Sequence, residues 1–453
     1  MTSLPVNGNY INGHKSVGLE IAVVGAGIAG LSAAIDLRKQ GHHVQLTEYN
    51  SSGNLQRSMD LIEANKIWQH HWRLAHRIQL HEKLKKVATS TDQAGTPVKL
   101  HLNASVVDVD PHTASVTLKN GEVVKCDVVL GADGVHSVCR QKVPGGNIRP
   151  FNSGKSAFRF LIDRKAALED PNTNKFAANP GELVIWYGTD RRVVMYPTSD
   201  NRLLNFVCIH PEEESEAGEG WTAATNKDML LQVYQKFDPA CLALISKANS
   251  ESLKVWKLLD MAMLPTWVNY RLALLGDAAH PFPPHQGQGA GVAMEDAATL
   301  SVVFERSLTR DDVPARLKLF ESIRYERAHK IQEYSRLAGK DLQSNVKMDM
   351  VEYANYNCGH DEFDNSSQKF REWKWARTPQ IYWRMPIAFG PKPGPRQSHA
   401  GVVRNAVEST LGQLPSSSKH PEPSFRTCSL RETKDGDLNR QVQSLTVLSV
   451  VQP

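Results

Sequence analysis

Several signals that define common protein classes are missing from this chain. Its six cysteines among 453 residues lie far apart and form no C-x-x-C pair, so they predict reduced thiols rather than a disulfide framework or a zinc site. The sequence also has no H-E-x-x-H motif and no G-x-S-x-G motif. It therefore gives no support for a zinc protease, a serine hydrolase or a bound metal.

The chain also lacks an extreme charge and a long apolar run. Lys plus Arg is 53 and Asp plus Glu is 48, and the net charge of +5 is too mild to predict a nucleic-acid partner. The longest uncharged apolar run, Ile21–Ile35, is shorter than the ~20 residues that span a bilayer. The polar N-terminus has no secretory h-region. We expect a cytoplasmic protein, a monomer or homodimer, without a membrane or nucleic-acid partner.

A glycine-rich turn follows the first predicted strand. The apolar run Ile21–Val24 precedes Gly25-x-Gly27-x-x-Gly30, and a helical stretch and a second strand follow it. Glycine lets the backbone approach a pyrophosphate closely, and the helix N-terminus offers free N–H groups to its charge. Glu48 ends the second strand, where a carboxylate can bind both hydroxyls of an adenosine ribose and would repel a 2′-phosphate. Together these features predict a βαβ unit that binds FAD or NAD.

The rest of the chain divides by composition, and its 453 residues predict two or three domains. We predict an α/β fold (α+β overall) with a Rossmann-like domain in two parts, residues 18–150 and 265–345. Residues 151–264 hold strand-like runs at 183–187, 192–196 and 203–208 and predict a sheet-rich second domain between the two parts. Residues 346–453, which contain proline and serine clusters, predict an irregular or disordered tail.

Two further motifs accompany the glycine turn. Cys126–Arg140 is C-D-V-V-L-G-A-D-G-V-H-S-V-C-R, and Arg271–Asp296 is R-L-A-L-L-G-D-A-A-H-P-F-P-P-H-Q-G-Q-G-A-G-V-A-M-E-D. With the glycine turn, they resemble the three fingerprints of class A FAD-dependent aromatic monooxygenases, and most closely the salicylate hydroxylase-like enzymes of fungal secondary metabolism. The resemblance runs from about Glu20 to Gln343. It implies an enzyme that uses FAD, NAD(P)H and O2 to hydroxylate an aromatic or polyketide-like molecule, with a β-sheet substrate domain interleaved in the FAD-binding domain.

The resemblance implies a cofactor contact for each motif. The three glycines of the turn would hold the FAD pyrophosphate, and the acidic residue after them the adenosine ribose. Arg77 would contact FAD, and Asp133 with Gly134 would serve both FAD and the passing NAD(P)H. Asp277 would hydrogen-bond the ribityl chain, and the backbone at Ala290 would approach the isoalloxazine. From the residues alone, Asp277 follows a buried strand and is either such a ligand or a helix N-cap.

The resemblance also implies substrate-binding groups. Arg159 matches an arginine on a substrate-domain strand that would lower the pKa of a bound phenol. We choose Tyr187 as its tyrosine partner, with Tyr196 as the alternative. A strand-edge salt bridge for Arg159 and core packing for Tyr187 are the structural alternatives. His280 and His285 have no carboxylate or cysteine partners in the sequence. We therefore interpret them as loop-capping or cofactor-proximal groups rather than as a metal site.

The chain departs from the family in one place. Arg77 follows Glu48 by 77 − 48 = 29 positions, where the family carries a considerably longer segment that lines the active site. Either an exon is missing from this reading of the gene or the protein lacks part of its pocket. The alternatives to a monooxygenase are therefore a flavin-binding protein with lost or reduced catalysis, and a flavin dehydrogenase or oxidase.

Overall fold

The computed structural model describes most of the chain. It covers residues 10–11, 14–15, 20–25, 27–28, 45–60, 68, 74–92, 97–215, 227–305, 308–340, 350–377 and 444–448. Over these ranges the chain forms two large sheets, two small sheets and helices that pack on them. Among the described residues, no helix combines the length and the hydropathy that a membrane span requires.

The strands contain between two and thirteen residues. In chain order they are β1 (Tyr10–Ile11), β2 (His14–Lys15), β3 (Glu20–Val24), β4 (Gln45–Asn50), β5 (Leu55–Asp60), β6 (Lys99–His101), β7 (Val106–Asp110), β8 (Ser115–Leu118), β9 (Val123–Lys125), β10 (Val128–Gly131), β11 (Phe151–Asp163), β12 (Glu182–Tyr187), β13 (Arg192–Thr198), β14 (Leu203–Pro211), β15 (Lys254–Asp260), β16 (Val268–Asn269), β17 (Leu272–Leu274) and β18 (Ser444–Leu448). The runs expected at 183–187, 192–196 and 203–208 are β12, β13 and β14.

The α-helices among the described residues lie mainly in the second half of the chain. They are α1 (Arg77–Thr89), α2 (Arg164–Leu168), α3 (Asn174–Ala177), α4 (Lys227–Tyr234), α5 (Pro239–Ile245), α6 (Gly289–Val303), α7 (Val313–Ala338), α8 (Met350–Cys358) and α9 (Glu362–Arg377). Short 3₁₀ turns occupy Cys139–Lys142, Glu212–Glu214 and Gly276–Ala278.

A six-stranded sheet carries the three sequence motifs. Its strand order is β16-β17-β10-β3-β18-β6, and only the pair β16–β17 is antiparallel. All residues of β10 and β17 are buried, as expected for a parallel sheet that is covered on both faces. The carboxyl ends of β3, β10 and β17 therefore lie side by side, and each leads directly into one of the three motifs.

The neighbour of β3 differs from our prediction. We expected the strand that ends at Glu48 to pair with Ile21–Val24 in a βαβ unit. Instead β4 lies parallel to β12 in the other large sheet, and β18 pairs with β3 on one side and with β6 on the other. The physical reason is that any extended segment can satisfy the backbone groups at a sheet edge, so local sequence does not specify which one does.

The second large sheet has the order β15-β11-β14-β13-β12-β4-β5, and its strands are antiparallel except for the pair β12–β4. One face packs on α4 and α5 around a core that includes Phe158, Trp186 and Phe206. Because side chains alternate along a strand, Ala157 and Val207 point to the opposite face with a smaller apolar cluster. This second face also carries Arg159.

The tail prediction is wrong for residues 350–377. These residues form α8 and α9 rather than irregular chain. Glu362, at the start of α9, is only 5% exposed and pairs with Arg324 of α7, while Phe370 stacks on the guanidinium of Arg316. Both partners are more than 35 residues away in sequence, so local composition could not reveal these contacts. The rest of the predicted tail, apart from β18, lies outside the described residues.

Candidate active site

The glycine turn after β3 is closed on one side and open on the other. Gly25 has a φ of +103°, and a Cβ built on it would lie 2.2 Å from the carbonyl oxygen of Ala132, at the end of β10. Among the described residues, no atom lies within 4 Å of a Cβ built on Gly27. Gly25 is thus required for close packing of two strand ends, whereas the backbone at Gly27 borders open space. Gly30 lies outside the described residues.

Replacing Gly25 by alanine should destabilise the protein by about 1–3 kcal/mol more than the same change at Gly121. Both glycines have positive φ, and Gly121 lies in the β8–β9 turn with no atom within 4 Å of an added Cβ. The two variants therefore share the backbone strain and differ in the clash with Ala132. Urea unfolding of both variants measures the difference, and equal losses of free energy would contradict the close packing at Gly25.

The turn after β10 is organised by Asp133. Its carboxylate accepts hydrogen bonds from Ser137 Oγ at 2.6 Å and from the backbone N–H groups of Val138 at 2.8 Å and Cys139 at 3.1 Å. Gly134 follows with a φ of +77° and no atom within 4 Å of an added Cβ. The Asp133 side chain thus caps its own turn, and the accessible part of this motif is the backbone at Gly134.

Arg140 ties the second motif to the third. Its side chain is 3% exposed and donates to the carbonyl oxygens of Ala278 at 2.8 Å, Asp277 at 2.8 Å and Val135 at 2.7 Å. Burial lowers the pKa of Arg140, and the negative charges of Asp133 and Asp277 oppose this effect. The sequence placed Arg140 in its motif, but only the structure shows that it links the turns that follow β10 and β17.

Asp277 lies in the 3₁₀ turn after β17. Its side chain is accessible to solvent, whereas Gly276 and Ala278 on either side are buried, so the carboxylate points away from the core. Desolvation by the surrounding protein raises the pKa of Asp277, and electrostatic interactions with His280, Arg77 and Arg140 act in the opposite direction. Arg77, at the first position of α1, therefore lies within electrostatic reach of Asp277.

A buried ion network fixes the turn that carries Asp277. Asp296 of α6 accepts hydrogen bonds from the Gly276 N–H at 2.9 Å, His280 Nε2 at 2.8 Å and Arg324 Nε at 3.0 Å. Arg324 also pairs with Glu362 and, at 2.7 Å, with Glu295. His280 thus has a carboxylate partner, contrary to our reading of the sequence. The adjacent acids Glu295 and Asp296 in the third motif were the one available signal, and the sequence reasoning missed them.

Helix α7 also holds the proline-rich loop that precedes α6. Gln332 donates to the carbonyl oxygen of Pro281 at 2.9 Å, and Ser335 donates to that of Pro283 at 2.5 Å. His285 packs on Gly339, where an added Cβ would lie 2.4 Å from the ring. Burial, with Arg192 and Lys155 nearby, lowers the pKa of His285 to about 3, so this ring is neutral.

The glycine run after the loop is accessible. Added Cβ atoms on Gly287, which has a φ of +66°, and on Gly289 would meet no atom within 4 Å. Ala290 is the second residue of α6 and is half-buried. The first-turn N–H groups of a helix have no partners within the helix and attract negative charge. This backbone is therefore suited to face an anionic or polar ligand group.

Arg159 stands on the second face of the seven-stranded sheet. Its guanidinium lies 4.8 Å from the centre of the Trp256 ring, and among the described residues it has no hydrogen bond and no ion pair. Burial lowers the pKa of Arg159, the nearby Tyr196 hydroxyl opposes this, and the Arg77 charge adds to it. Arg77 is therefore within electrostatic range of both Arg159 and Asp277, two residues that lie far from it in the sequence.

The structure favours Tyr196 over our choice of Tyr187 as the partner of Arg159. Tyr187 lies on β12, three strands from β11, and its ring faces Arg192, whose guanidinium is 5.5 Å from the ring centre. Tyr196 lies on β13, and burial raises its pKa while the charge of Arg159 lowers it. The alternation of side chains makes both tyrosines possible from sequence, and only the strand order separates them.

Comparisons with known proteins agree with this geometry. The FAD binding domain family matches residues 85–335, and an NAD(P)-binding Rossmann-like domain family matches residues 23–53. The FAD-dependent monooxygenase cfoG of Aspergillus candidus is 32% identical over 392 residues, which cover 75% of this chain and 89% of that protein. Hispidin-3-hydroxylase of Neonothopanus nambi is 28% identical, covering 68% of this chain and 86% of that protein.

A solved structure shows the same fold. A substrate complex of salicylate hydroxylase superposes with a TM-score of 0.62 at 22% sequence identity, covering 78% of this chain and 98% of that one. The family match spans more than half of the chain, and the relatives are monooxygenases rather than dehydrogenases or oxidases. This chain therefore belongs to the family of FAD-dependent monooxygenases, oxidoreductases that bind FAD and use NAD(P)H as co-substrate.

Proposed function

We propose that this monooxygenase hydroxylates a small aromatic or polyketide-like molecule of secondary metabolism that carries an ionisable hydroxyl. The observation that supports this most directly is the guanidinium of Arg159, which has no hydrogen-bond or ion-pair partner among the described residues and lies within electrostatic range of Arg77 and Tyr196. A buried cation of this kind favours a ligand that brings its own negative charge. The relative named hispidin-3-hydroxylase supports hydroxylation as the reaction.

The accessible glycines fit an extended FAD molecule. Gly27, Gly134, Gly287 and Gly289 each have open space where a Cβ would stand, and they follow three adjacent strand ends or open a helix. We propose that Gly25 and Gly27 hold the pyrophosphate, that Asp277 binds the ribityl chain, and that Arg77, Asp133, Gly134 and Ala290 line the remainder. Gly30 and Glu48 belong to the same proposal, as ligands of the pyrophosphate and of the adenosine ribose, although β4, which carries Glu48, lies in the other large sheet.

The protein's own contribution to the reaction follows from these residues. When bound, FAD would supply the redox chemistry, which is its own reduction by NAD(P)H and the activation of O2. The positive charge of Arg159 lowers the pKa of a bound hydroxyl and so makes the ring more electron-rich. The Trp256 ring orients the guanidinium from one side. Tyr196, rather than Tyr187, lies near enough to contact the same oxygen, and the surrounding apolar residues Val194 and Val207 exclude water.

The function is tested with purified full-length protein. We expect bound FAD with its visible absorption, consumption of NAD(P)H that a substrate stimulates, and incorporation of isotopically labelled O2 into product. A yellow protein that never oxidises NAD(P)H would instead support the flavin-binding alternative without catalysis. NAD(P)H oxidation that releases only hydrogen peroxide with every phenol and enol tried would support an oxidase.

Replacing Asp277 by alanine should weaken FAD binding about tenfold or more, because the variant loses a charge-assisted hydrogen bond to the cofactor. The dissociation constant is measured by titrating apoprotein with FAD and following flavin fluorescence. The exposed Asp311, at the end of the loop before α7, provides the matched control Asp311→Ala. An Asp277→Ala variant with the wild-type dissociation constant would remove Asp277 from the cofactor site.

A further inference from the structure

A second polar side chain stands beside Arg159 on the same face of the seven-stranded sheet. In the antiparallel pair β11–β14, Arg159 is opposite Val207, and Asn205 is two residues before Val207. Residues two apart on a strand share a face, so Asn205 is a diagonal neighbour of Arg159, at a typical Cβ separation of about 7–8 Å. Asn205 is also directly opposite Tyr196 in the pair β13–β14. Arg159, Asn205 and Tyr196 thus form one polar patch beside the apolar side chains of Val194 and Val207.

Two donors of this patch have no acceptor among the described residues. Arg159 Nε and Asn205 Nδ2 are both buried, and neither has a hydrogen-bond partner among the described residues. Buried donors are nearly always paired in native proteins, because an unpaired one costs free energy. Tyr196 does not supply a hydrogen bond to either of them in this structure. A ligand that offers two acceptor oxygens, one to each strand, would satisfy both donors at once.

We infer that Arg159 and Asn205 together select a substrate with two oxygens on one ring system, an ionised oxygen for Arg159 and a carbonyl oxygen for Asn205. The substrate class is therefore an enol or phenol with a neighbouring ring or acyl carbonyl, rather than a simple phenol. Arg159 binds the charged oxygen and Asn205 donates to the neutral acceptor, so Asn205 is a specificity-determining residue. This inference rests on the proposed function and narrows its substrate class.

Three small probes separate the two contacts. The enol 4-hydroxy-6-methyl-2-pyrone has an ionised oxygen and a carbonyl, its 4-methoxy ether keeps only the carbonyl, and pentafluorophenol keeps only the ionised oxygen. Isothermal calorimetry with the FAD-loaded protein, slightly above neutral pH, gives each dissociation constant without requiring turnover. We expect the hydroxypyrone to bind at least about tenfold more tightly than either of the other probes.

The variants test the residues one by one. Asn205→Leu should abolish the preference for the hydroxypyrone over pentafluorophenol and keep its preference over the methoxy ether. Arg159→Met should abolish the preference for the hydroxypyrone over the methoxy ether and keep its preference over pentafluorophenol. Asn205→Asp, which places a carboxylate beside the guanidinium, should weaken binding of both ionised probes at least about tenfold and leave the methoxy ether less affected. The matched control is Asn152→Leu, at an exposed asparagine of β11, the strand that carries Arg159. This variant should behave as wild type.

The outcomes distinguish this inference from the proposed function. FAD content and the far-ultraviolet circular dichroism spectrum are measured on every variant, and both should match wild type. If they do and Asn205→Leu keeps the wild-type ratio of probe affinities, the role of Asn205 is overturned while the monooxygenase assignment stands. Equal binding of all three probes to wild type, or binding of none, overturns the substrate class. Wild-type protein that retains no FAD would defeat the proposed function itself.

Discussion

Substitution of Arg159 by methionine should lower kcat/KM for hydroxylation at least about 100-fold while changing the FAD dissociation constant by less than about twofold. Methionine fills a similar volume and removes the charge. Without that charge a bound hydroxyl keeps its ordinary pKa and the ring is less reactive. The charged hydrogen bond to the substrate is lost as well, and the two effects together account for the expected size.

The pH dependence of the rate distinguishes this chemical role from a structural one. In wild type, the positive charge beside the substrate lowers the pKa of the bound hydroxyl, so kcat reaches its plateau at a lower pH than ionisation of the free substrate predicts. In Arg159→Met the midpoint should move up towards the free substrate's pKa. Arg159→Lys should recover part of the rate, and Arg149→Met, at an exposed arginine, is the control. An Arg159→Met variant that loses FAD in parallel with activity would point to folding instead.

A second large effect is expected from Arg324→Met, which should reduce the free energy of unfolding by about 3–5 kcal/mol near neutral pH. Arg324 is fully buried and pairs with Asp296, Glu295 and Glu362. Removing it leaves carboxylates in the core with too little positive charge around them. Urea unfolding gives the change, and Arg310→Met, which breaks an ion pair of a half-exposed arginine with Asp127, should cost less than about 1 kcal/mol.

The loss of stability should itself depend on pH. Burial alone would raise the pKa of Glu362, but the hydrogen bond from His360 and the charge of Arg324 lower it to about 2. Burial likewise raises the pKa of Asp296, and His280 and Arg324 outweigh it. Carboxyl groups with lowered pKa stabilise the fold above their unfolded pKa of about 4, and this contribution disappears as pH falls towards about 2. The gap between wild type and Arg324→Met should therefore narrow in acid, and a gap that widened there would contradict the network.

The same network connects the C-terminal helices to the proposed cofactor site. Glu362 begins α9 and holds Arg324, which holds Asp296, and Asp296 in turn accepts the N–H of Gly276 next to Asp277. Each contact is between groups that are buried or nearly so, where unpaired charges are costly. The position of Asp277 is thus coupled to a helix that contributes no residue to the three motifs.

Much of the site could be read from the sequence, because its motifs are local. The glycine turn, the Asp133–Gly134 turn and the turn at Asp277 each follow a short apolar strand, and the structure places the ends of these strands side by side in one parallel sheet. Backbone turns of this kind depend on a few neighbouring residues and on the absence of a Cβ, so they leave a clear trace in the sequence. The fold class and the family followed from them.

The remaining features depend on contacts between distant parts of the chain. Whether β4 or β18 pairs with β3, whether Tyr187 or Tyr196 approaches Arg159, and which carboxylates surround Arg324 are all decided by strand order and helix packing. In each case the local sequence pattern is the same for either outcome. The alternation of apolar and polar residues fixes only which face of a strand is buried, and amphipathicity fixes only which side of a helix is buried. The sequence by itself therefore determined the three motif turns and the class of chemistry, and only the tertiary structure decided which polar groups have no hydrogen-bond partner among the described residues.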